Sequence, residues 1–376
     1  MLNPWADINL KTVSENISYL QSISKPRKTL LVLKGNGYGL GAQALFDYFS
    51  KTNLVDYFGF IRTKEIQGLQ LSKEKNLLLM TAPNDDEYEY LIKNDIEFTV
   101  YKKEHCLRAQ EISKKLGKLS KVHIKVNTGM NRYGISPKHF KELYDFVQSL
   151  DSLQVSGVSS HFIDSYDLST NFYNEQLDTF EPVVRYVKEN SSDDLLIHFA
   201  NSSGVLRSAI SGERNSIFDM VRLGISAFGY FASNDLKEIY NDLITPSVEL
   251  KAKIINIHDL EKGDSVGYSK RHVCDKKTKM AVVPMGYADG VSRIIGLTDY
   301  KVLVKGEYCD VLGTLQMDTS FIDVTDVDAQ IGDEVVYVGN SGKNSIDADG
   351  MGEFLGIENY EVLIRMTDRL NKVYIK

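Results

Sequence analysis

"TLLVLKGNGYGLGA", residues 29–42, decides the fold of this chain. The unbroken run Leu30-Leu31-Val32-Leu33 is the pattern of a strand covered on both faces, because a strand with one wet face would alternate apolar and polar residues. Lys34 stands where that strand leaves its sheet, and Gly35, Gly37, Gly39 and Gly41 follow directly. Glycine permits backbone conformations and close approaches that a Cβ forbids, so the loop is expected to bring main chain close to a ligand.

Working outward, short apolar or β-branched runs recur at 57–61, 77–80, 98–101, 122–126, 155–158, 195–199 and 220–223. Amphipathic stretches such as 102–118, 137–150 and 171–190 lie between them. Eight strands alternating with helices predict an α/β protein built on a (β/α)8 barrel. A doubly wound sheet is the alternative, but no G-x-G-x-x-G follows the first strand. After Tyr230 the pattern changes: "SVELKAKIINI", "DSVGYS", "KMAVVPMGY", "YKVLV", "CDVLGTLQMDTSFIDV" and "DEVVYVG" alternate between turn residues with no long helix. They predict a mainly-β C-terminal domain, closed by a short helix near 351–355 and a final strand. The expected division is 1–238 for a cofactor-binding barrel and 239–376 for the β-domain, the junction falling between Phe231 and Pro246. "SIDADG" at 345–350 resembles part of a calcium loop but lacks its full acidic pattern, and is read as a turn or helix start.

The 376 residues carry a net charge of −7, with 43% hydrophobic and 25% charged side chains. An acidic chain without a basic face is not a nucleic-acid binder. Cys106, Cys274 and Cys309 are scattered and odd in number, which fits neither a disulfide framework nor a metal site and points to a reducing cytoplasm. No apolar run approaches the ~20 residues of a membrane span, and the first residues do not look like a signal peptide.

Loops at the C-terminal ends of barrel strands build active sites. Here Lys34 and Tyr38 follow strand one, Lys125 and Arg132 belong to "KVNTGMNRYG" after strand five, and His161 follows strand six. Asn201 and Ser202 follow strand seven, while Arg222, Gly224 and Ile225 end strand eight. The last two loops are where barrels commonly hold phosphate, with Tyr38 a third donor. A phosphate site beside a strand-end lysine suggests pyridoxal 5'-phosphate, held as a Schiff base on Lys34, with no metal. Each residue has a plainer role when taken alone: a solvated lysine, a core histidine, an ion-paired arginine, a helix cap at Asn201-Ser202. Their convergence on one end of one fold favours a site.

"LKGNGYGLG", "KVNTGMNRYGI", "HFANSSG", "MVRLGIS", "VGYSKRHV", "MGYADG", "LQMDTSFIDV" and "NYEVLIR" together, in this order, resemble the bacterial alanine racemase family over essentially the whole chain. The resemblance implies a cytoplasmic, pyridoxal-phosphate-dependent isomerase, a homodimer with shared sites, that makes D-alanine for peptidoglycan. It implies that Lys34 carries the cofactor and is one acid/base, and that Tyr268 from the partner subunit is the other. Arg132 would bind the substrate carboxylate, with a backbone contact from the partner's Met317. His161 would pack on the pyridine ring and Arg222 face its nitrogen, while Tyr38, Ser202, Gly224, Ile225 and Tyr360 contact the phosphate and Asn201 lines the cofactor site. In many members the lysine matching Lys125 is carbamylated and orients the arginine matching Arg132.

The chemistry asks for the same set. Racemisation removes an α-proton from one face and returns it to the other, so two bases must flank a planar carbanion. A tyrosine with its ordinary pKa of ~10 is a poor base unless cations lower it, and Arg132 is a candidate. A guanidinium has only donors, so Arg222 leaves the pyridine nitrogen unprotonated, which favours prompt reprotonation over transamination. A fold-related decarboxylase and a non-catalytic pyridoxal-phosphate carrier are the competing readings; the former generally uses a carboxylate at the ring nitrogen and a reactive cysteine, and the latter needs no β-domain.

The approach to the site departs from the family. The usual "YGHG" reads "YGLG" at Tyr38–Gly41, Thr314 replaces an arginine, Tyr166 stands where an acid is usual with Asp167 adjacent, and Glu358 replaces an isoleucine. With Tyr287 and Arg293 these form a specificity corridor, so alanine leads, with serine or a basic amino acid as alternatives.

Overall fold

The computed structural model describes residues 4–71, 75–191, 194–211 and 218–376. It divides the chain into two compact units: Val13–Gly37 with Ala42–Thr245, and Met1–Thr12 with Tyr38–Gly41 and Pro246–Lys376.

The first unit is a (β/α)8 barrel. Its strands are Lys28–Val32, Tyr57–Phe60, Asn76–Leu79, Glu97–Val100, Ser120–Lys125, Leu153–Ser159, Leu196–His198 and Met220–Leu223, and they form one parallel eight-stranded sheet. Strand one pairs with both strand two and strand eight. Strand seven meets strand eight through Asp219 N–H to the Ile197 carbonyl (2.8 Å) and Arg222 N–H to the Ala200 carbonyl (3.0 Å), which closes the ring. All eight runs read from the sequence are strands. The reason is the one inferred: Leu30, Leu31, Phe58, Leu78, Phe98, Val122 and Ile124 are fully buried, and each such side chain contributes about 1.5–3 kcal/mol by leaving water. The predicted helices appear at Lys103–Leu116, Phe140–Gln148 and Phe172–Asn190.

The second unit is mainly β, with a seven-stranded sheet, a three-stranded sheet and a two-stranded ribbon. One strand of the large sheet is the chain's own beginning. Trp5–Asn9 pairs antiparallel with Val248–Lys253 and parallel with Asn371–Ile375. The sequence reading missed it, because five residues with one polar interruption give no periodicity to read and the partner strands lie far along the chain. The "SIDADG" stretch is a helix start: Asp347 caps Ala348–Leu355, its carboxylate accepting from Gly350 N–H at 2.8 Å. Among the described residues, no group of three or more potential ligands could hold a metal ion.

Candidate active site

Lys34 leaves strand one into a turn of unusual hand. Gly35, Asn36, Gly37 and Tyr38 all have φ between 54° and 64°. Glycine enters that region freely, whereas Asn36 and Tyr38 cost on the order of 1–3 kcal/mol each and persist only if their surroundings hold them. Three contacts do so within the barrel unit: Gly37 N–H donates to the Leu33 carbonyl (2.8 Å), Gly35 N–H to the Glu65 carboxylate (2.6 Å), and Ala42 N–H to Asn36 Oδ1 (2.9 Å). The glycines that follow serve a purpose other than the one expected. A Cβ on Gly39 would lie 2.2 Å from the Leu363 carbonyl oxygen, and one on Gly41 2.0 Å from the Tyr374 hydroxyl. They let the loop approach the protein's own chain.

Around the barrel mouth the strand ends bring together Lys34, Lys125, Arg132, His161 and Arg222. Lys125 is the last residue of strand five and lines a recess with Thr128, Arg132, Ser160 and His161. Burial first, then the charges of Arg222 and Arg132, holds its ammonium well below the usual lysine range. Lys34 is lowered too, by desolvation and then Arg132, with Glu65 opposing. His161 is lowered well below the ordinary imidazole by burial and by four neighbouring cations, Arg222 first. A mouth with this excess of positive charge is built for anions.

Arg222 is the fixed point of the group. It is buried, and burial lowers its pKa to about 10. Its Nη1 donates to His198 Nδ1 (2.9 Å) and the His198 carbonyl (2.8 Å). Its Nη2 donates to the carbonyls of Ser160 (2.8 Å) and Phe199 (3.0 Å) and to His161 Nδ1 (3.2 Å). The Nε–H is used by none of these five contacts.

Loops seven and eight are stitched together where phosphate was expected. Asn201 Oδ1 accepts from Gly204 N–H at 2.8 Å, opening the helix Ser202–Ser211, so the capping role weighed for it is real. Ser202 Oγ accepts from Gly224 N–H at 2.9 Å, and Ile225 starts the next short helix. The first N–H groups of such a helix have no partner within it and suit an anion.

The other predicted residues lie elsewhere. Tyr166 is an exposed residue of the barrel unit, its carbonyl accepting from Ser233 Oγ. Within the β-unit, Tyr38 is buried with its ring centroid 6.1 Å from that of Tyr360. Burial, then Tyr360, raises the Tyr38 phenol. Tyr268 is 71% exposed and Met317 54% exposed. Tyr268 opens a short turn whose next residues, Ser269 and Lys270, have φ of 59° and 50°, strain of the kind that clusters at functional sites. Tyr287, Arg293 and Glu358 are exposed, whereas Thr314 is buried.

The sequence reading missed Glu97, His123 and His198. All three are buried polar residues inside barrel strands, and His123 Nε2 lies 2.7 Å from the Glu97 carboxylate. The available signal for His123 and His198 was an ionisable residue inside a run whose apolar character implied burial on both faces, and Glu97 directly precedes such a run.

Two family models match in succession: the alanine racemase N-terminal domain over residues 8–232 and the alanine racemase C-terminal domain over 247–374. The chain belongs to the alanine racemase family. Its relatives match it end to end. The alanine racemase of Methanococcus maripaludis is 31% identical, covering 99% of this chain and 98% of its own. The solved alanine racemase of Clostridium difficile is 29% identical with a TM-score of 0.87, covering 100% of this chain and 96% of its own. A Bartonella henselae alanine racemase, solved with covalently bound pyridoxal phosphate, shares the fold at 22% identity and a TM-score of 0.85, covering 100% of both chains.

Proposed function

We propose that this chain is an amino-acid racemase that interconverts L- and D-alanine with pyridoxal 5'-phosphate at the barrel mouth. The environment of Arg222 carries the reading. A guanidinium locked on five acceptors, none of which takes its Nε–H, would be a rigid donor for the cofactor's ring nitrogen and would not protonate it fully. In this reading Lys34 would take its carbonyl carbon, His161 and Asn201 would lie beside the ring, and Tyr38, Ser202, Gly224, Ile225 and Tyr360 would contact its phosphate. When bound, the cofactor would withdraw electrons from the amino acid's Cα and acidify its hydrogen.

Lys34 would hold that proton at Nζ on one face, and its lowered pKa favours the neutral amine a base needs. The phenol of the partner's Tyr268 would exchange a proton on the opposite face, with Arg132 holding the substrate carboxylate and the partner's Met317 closing over it. The high exposure of Tyr268 and Met317 in a single chain supports a head-to-tail homodimer with shared sites. Lys125 is kept toward the neutral amine that can add carbon dioxide; the nitrogen lone pair bonds carbon, one proton leaves, and the carbamate orients Arg132. Tyr166, Tyr287, Arg293, Thr314 and Glu358 would tune which amino acid enters, and Glu358→Ile should narrow the range toward alanine. Among the described residues no helix is long and apolar enough to cross a membrane, and we place the enzyme in the cytoplasm, supplying D-alanine for peptidoglycan.

A decarboxylase is disfavoured because the three cysteines are buried and the thiols of Cys106 and Cys309 are pushed up to about 12, chiefly by burial, far from the reactive thiolate range. The test is a panel of alanine, serine and lysine, following loss of chirality and release of carbon dioxide together. Alanine should racemise fastest with no carbon dioxide. Carbon dioxide release, or no turnover by protein that retains cofactor, would overturn the proposal.

A further inference from the structure

Barrel interiors are normally filled by layers of branched apolar side chains. This one is crossed by a line of polar groups. Glu97, the first residue of strand four, sits at the end opposite the mouth, and its Oε2 lies 2.7 Å from His123 Nε2 on strand five. His123 Nδ1 lies 2.7 Å from His198 Nε2 at the end of strand seven, and His198 Nδ1 lies 2.9 Å from Arg222 Nη1 on strand eight. All four residues are at most 5% exposed.

Hydrogen-bond chemistry allows this line one direction. Arginine has no acceptor, so His198 Nδ1 must carry its lone pair toward Arg222. A neutral His198 then bears its proton on Nε2 and donates to His123 Nδ1. That makes His123 an Nε2–H tautomer too, donating to the Glu97 carboxylate. One negative and one positive charge thus stand at the two ends, joined by two neutral imidazoles. The depression of His198 well below the ordinary imidazole, by burial and then Arg222, agrees with its neutrality. The carboxyl of Glu97 lies below its usual range: burial raises it, and the bonds from His123 and Ser156 outweigh that.

The backbone is shaped to this line. A Cβ at position 157 would lie 2.3 Å from His123 Nδ1, so Gly157 makes room for the imidazole. Strands five and six slip register beside it, with Val122 opposite Val155 and His123 opposite Gly157. The residue left over, Ser156, donates its hydroxyl to Glu97 Oε2 at 2.9 Å. Tyr57 donates to Oε1 at 3.4 Å. A bulge is a built feature that re-aims a side chain, and here it supplies the carboxylate with a donor.

We propose that Glu97 is a positioning residue for Arg222, acting through His123 and His198 to fix the two tautomers and so the orientation of the guanidinium at the mouth. The activity part of this rests on the racemase reading; the tautomers do not. The test is 15N NMR of the histidine-labelled holoenzyme, with steady-state kinetics. In the native protein His123 and His198 are each expected as a single neutral Nε2–H form. Glu97→Leu removes the terminal acceptor, so His198, which does not touch residue 97, should populate both tautomers, with kcat falling ~10–100-fold at little-changed KM, the range seen when an orienting hydrogen bond is lost. Glu97→Gln keeps an acceptor oxygen and should retain the Nε2–H form and most of the turnover. If the leucine variant does not fold, Gly157→Ala interrupts the line at His123 and is read the same way. A native His198 protonated on Nδ1, or a His198 locked as Nε2–H in a folded Glu97→Leu or Gly157→Ala protein, would overturn the proposal. Native turnover with altered tautomers would overturn its activity part alone.

Discussion

Replacing Arg222 by leucine should destabilise the barrel by about 3 kcal/mol, because buried acceptors are left without their donor. The figure can be worked from its contacts. The carbonyls of Ser160 and Phe199 and the His198 Nδ1 are buried acceptors that lose their donor, whereas the His198 carbonyl keeps the Ser160 N–H at 3.2 Å. Each buried acceptor left unpaired costs ~1–3 kcal/mol, so at the middle of that range the three together cost about 6 kcal/mol. His161 Nδ1, at the mouth, can find water instead. Against this, burial has lowered Arg222 to about 10, a desolvation cost of ~3 kcal/mol that leucine escapes. The assay is calorimetry of cofactor-free protein, where a loss of this size should lower Tm by roughly 6–12 °C. Arg222→Lys, with three donors for the same acceptors, should fall between the two. An Arg222→Leu protein within ~1 kcal/mol of the native one would contradict this, because the five hydrogen bonds would then merely offset the charge they bury.

Tyr268→Phe should nearly abolish turnover while leaving cofactor absorbance intact, and mixing it with inactive Lys34→Ala should restore activity through hybrid dimers; no recovery after verified subunit exchange would argue against shared sites. Gly39→Ala should cost about 2–4 kcal/mol, since it combines a φ of +84° with a Cβ 2.2 Å from the Leu363 oxygen, and a urea titration reads it directly. For the pH dependence, Lys34 reacts only as the neutral amine. The rate at which cofactor-free protein takes up pyridoxal phosphate should therefore rise with pH through a midpoint below the ordinary ~10.4 of lysine. Arg132→Met, removing a charge that lowers Lys34, should move that midpoint upward.

What the sequence made legible follows from the forces that act locally. The eight barrel strands are short runs buried on both faces, so composition alone marks them, and the strand ends then locate Lys34, Lys125, His161 and Arg222. The Trp5–Asn9 strand was hidden because its place is set by pairing with Val248–Lys253 and Asn371–Ile375, which no window around residue 5 contains. The glycines after Lys34 were read as facing a ligand, yet Gly39 and Gly41 face Leu363 and Tyr374, a packing fact only the folded chain carries. Glu97 was passed over because it precedes the 98–101 run, and His123 because a polar residue in an apolar run looks like an interruption until its partner on the next strand is known.

The proposed reaction is two-base proton exchange at Cα with every carbon bond left intact. Its most direct test is to incubate the holoenzyme with L-alanine, and separately with D-alanine, in deuterium oxide, following circular dichroism and the mass of the product. Both reactions should decay to zero ellipticity, the newly formed enantiomer should carry solvent deuterium at Cα, and Lys34→Ala should do neither. Persistent optical activity of alanine with bound cofactor, or loss of its carboxyl carbon, would contradict it.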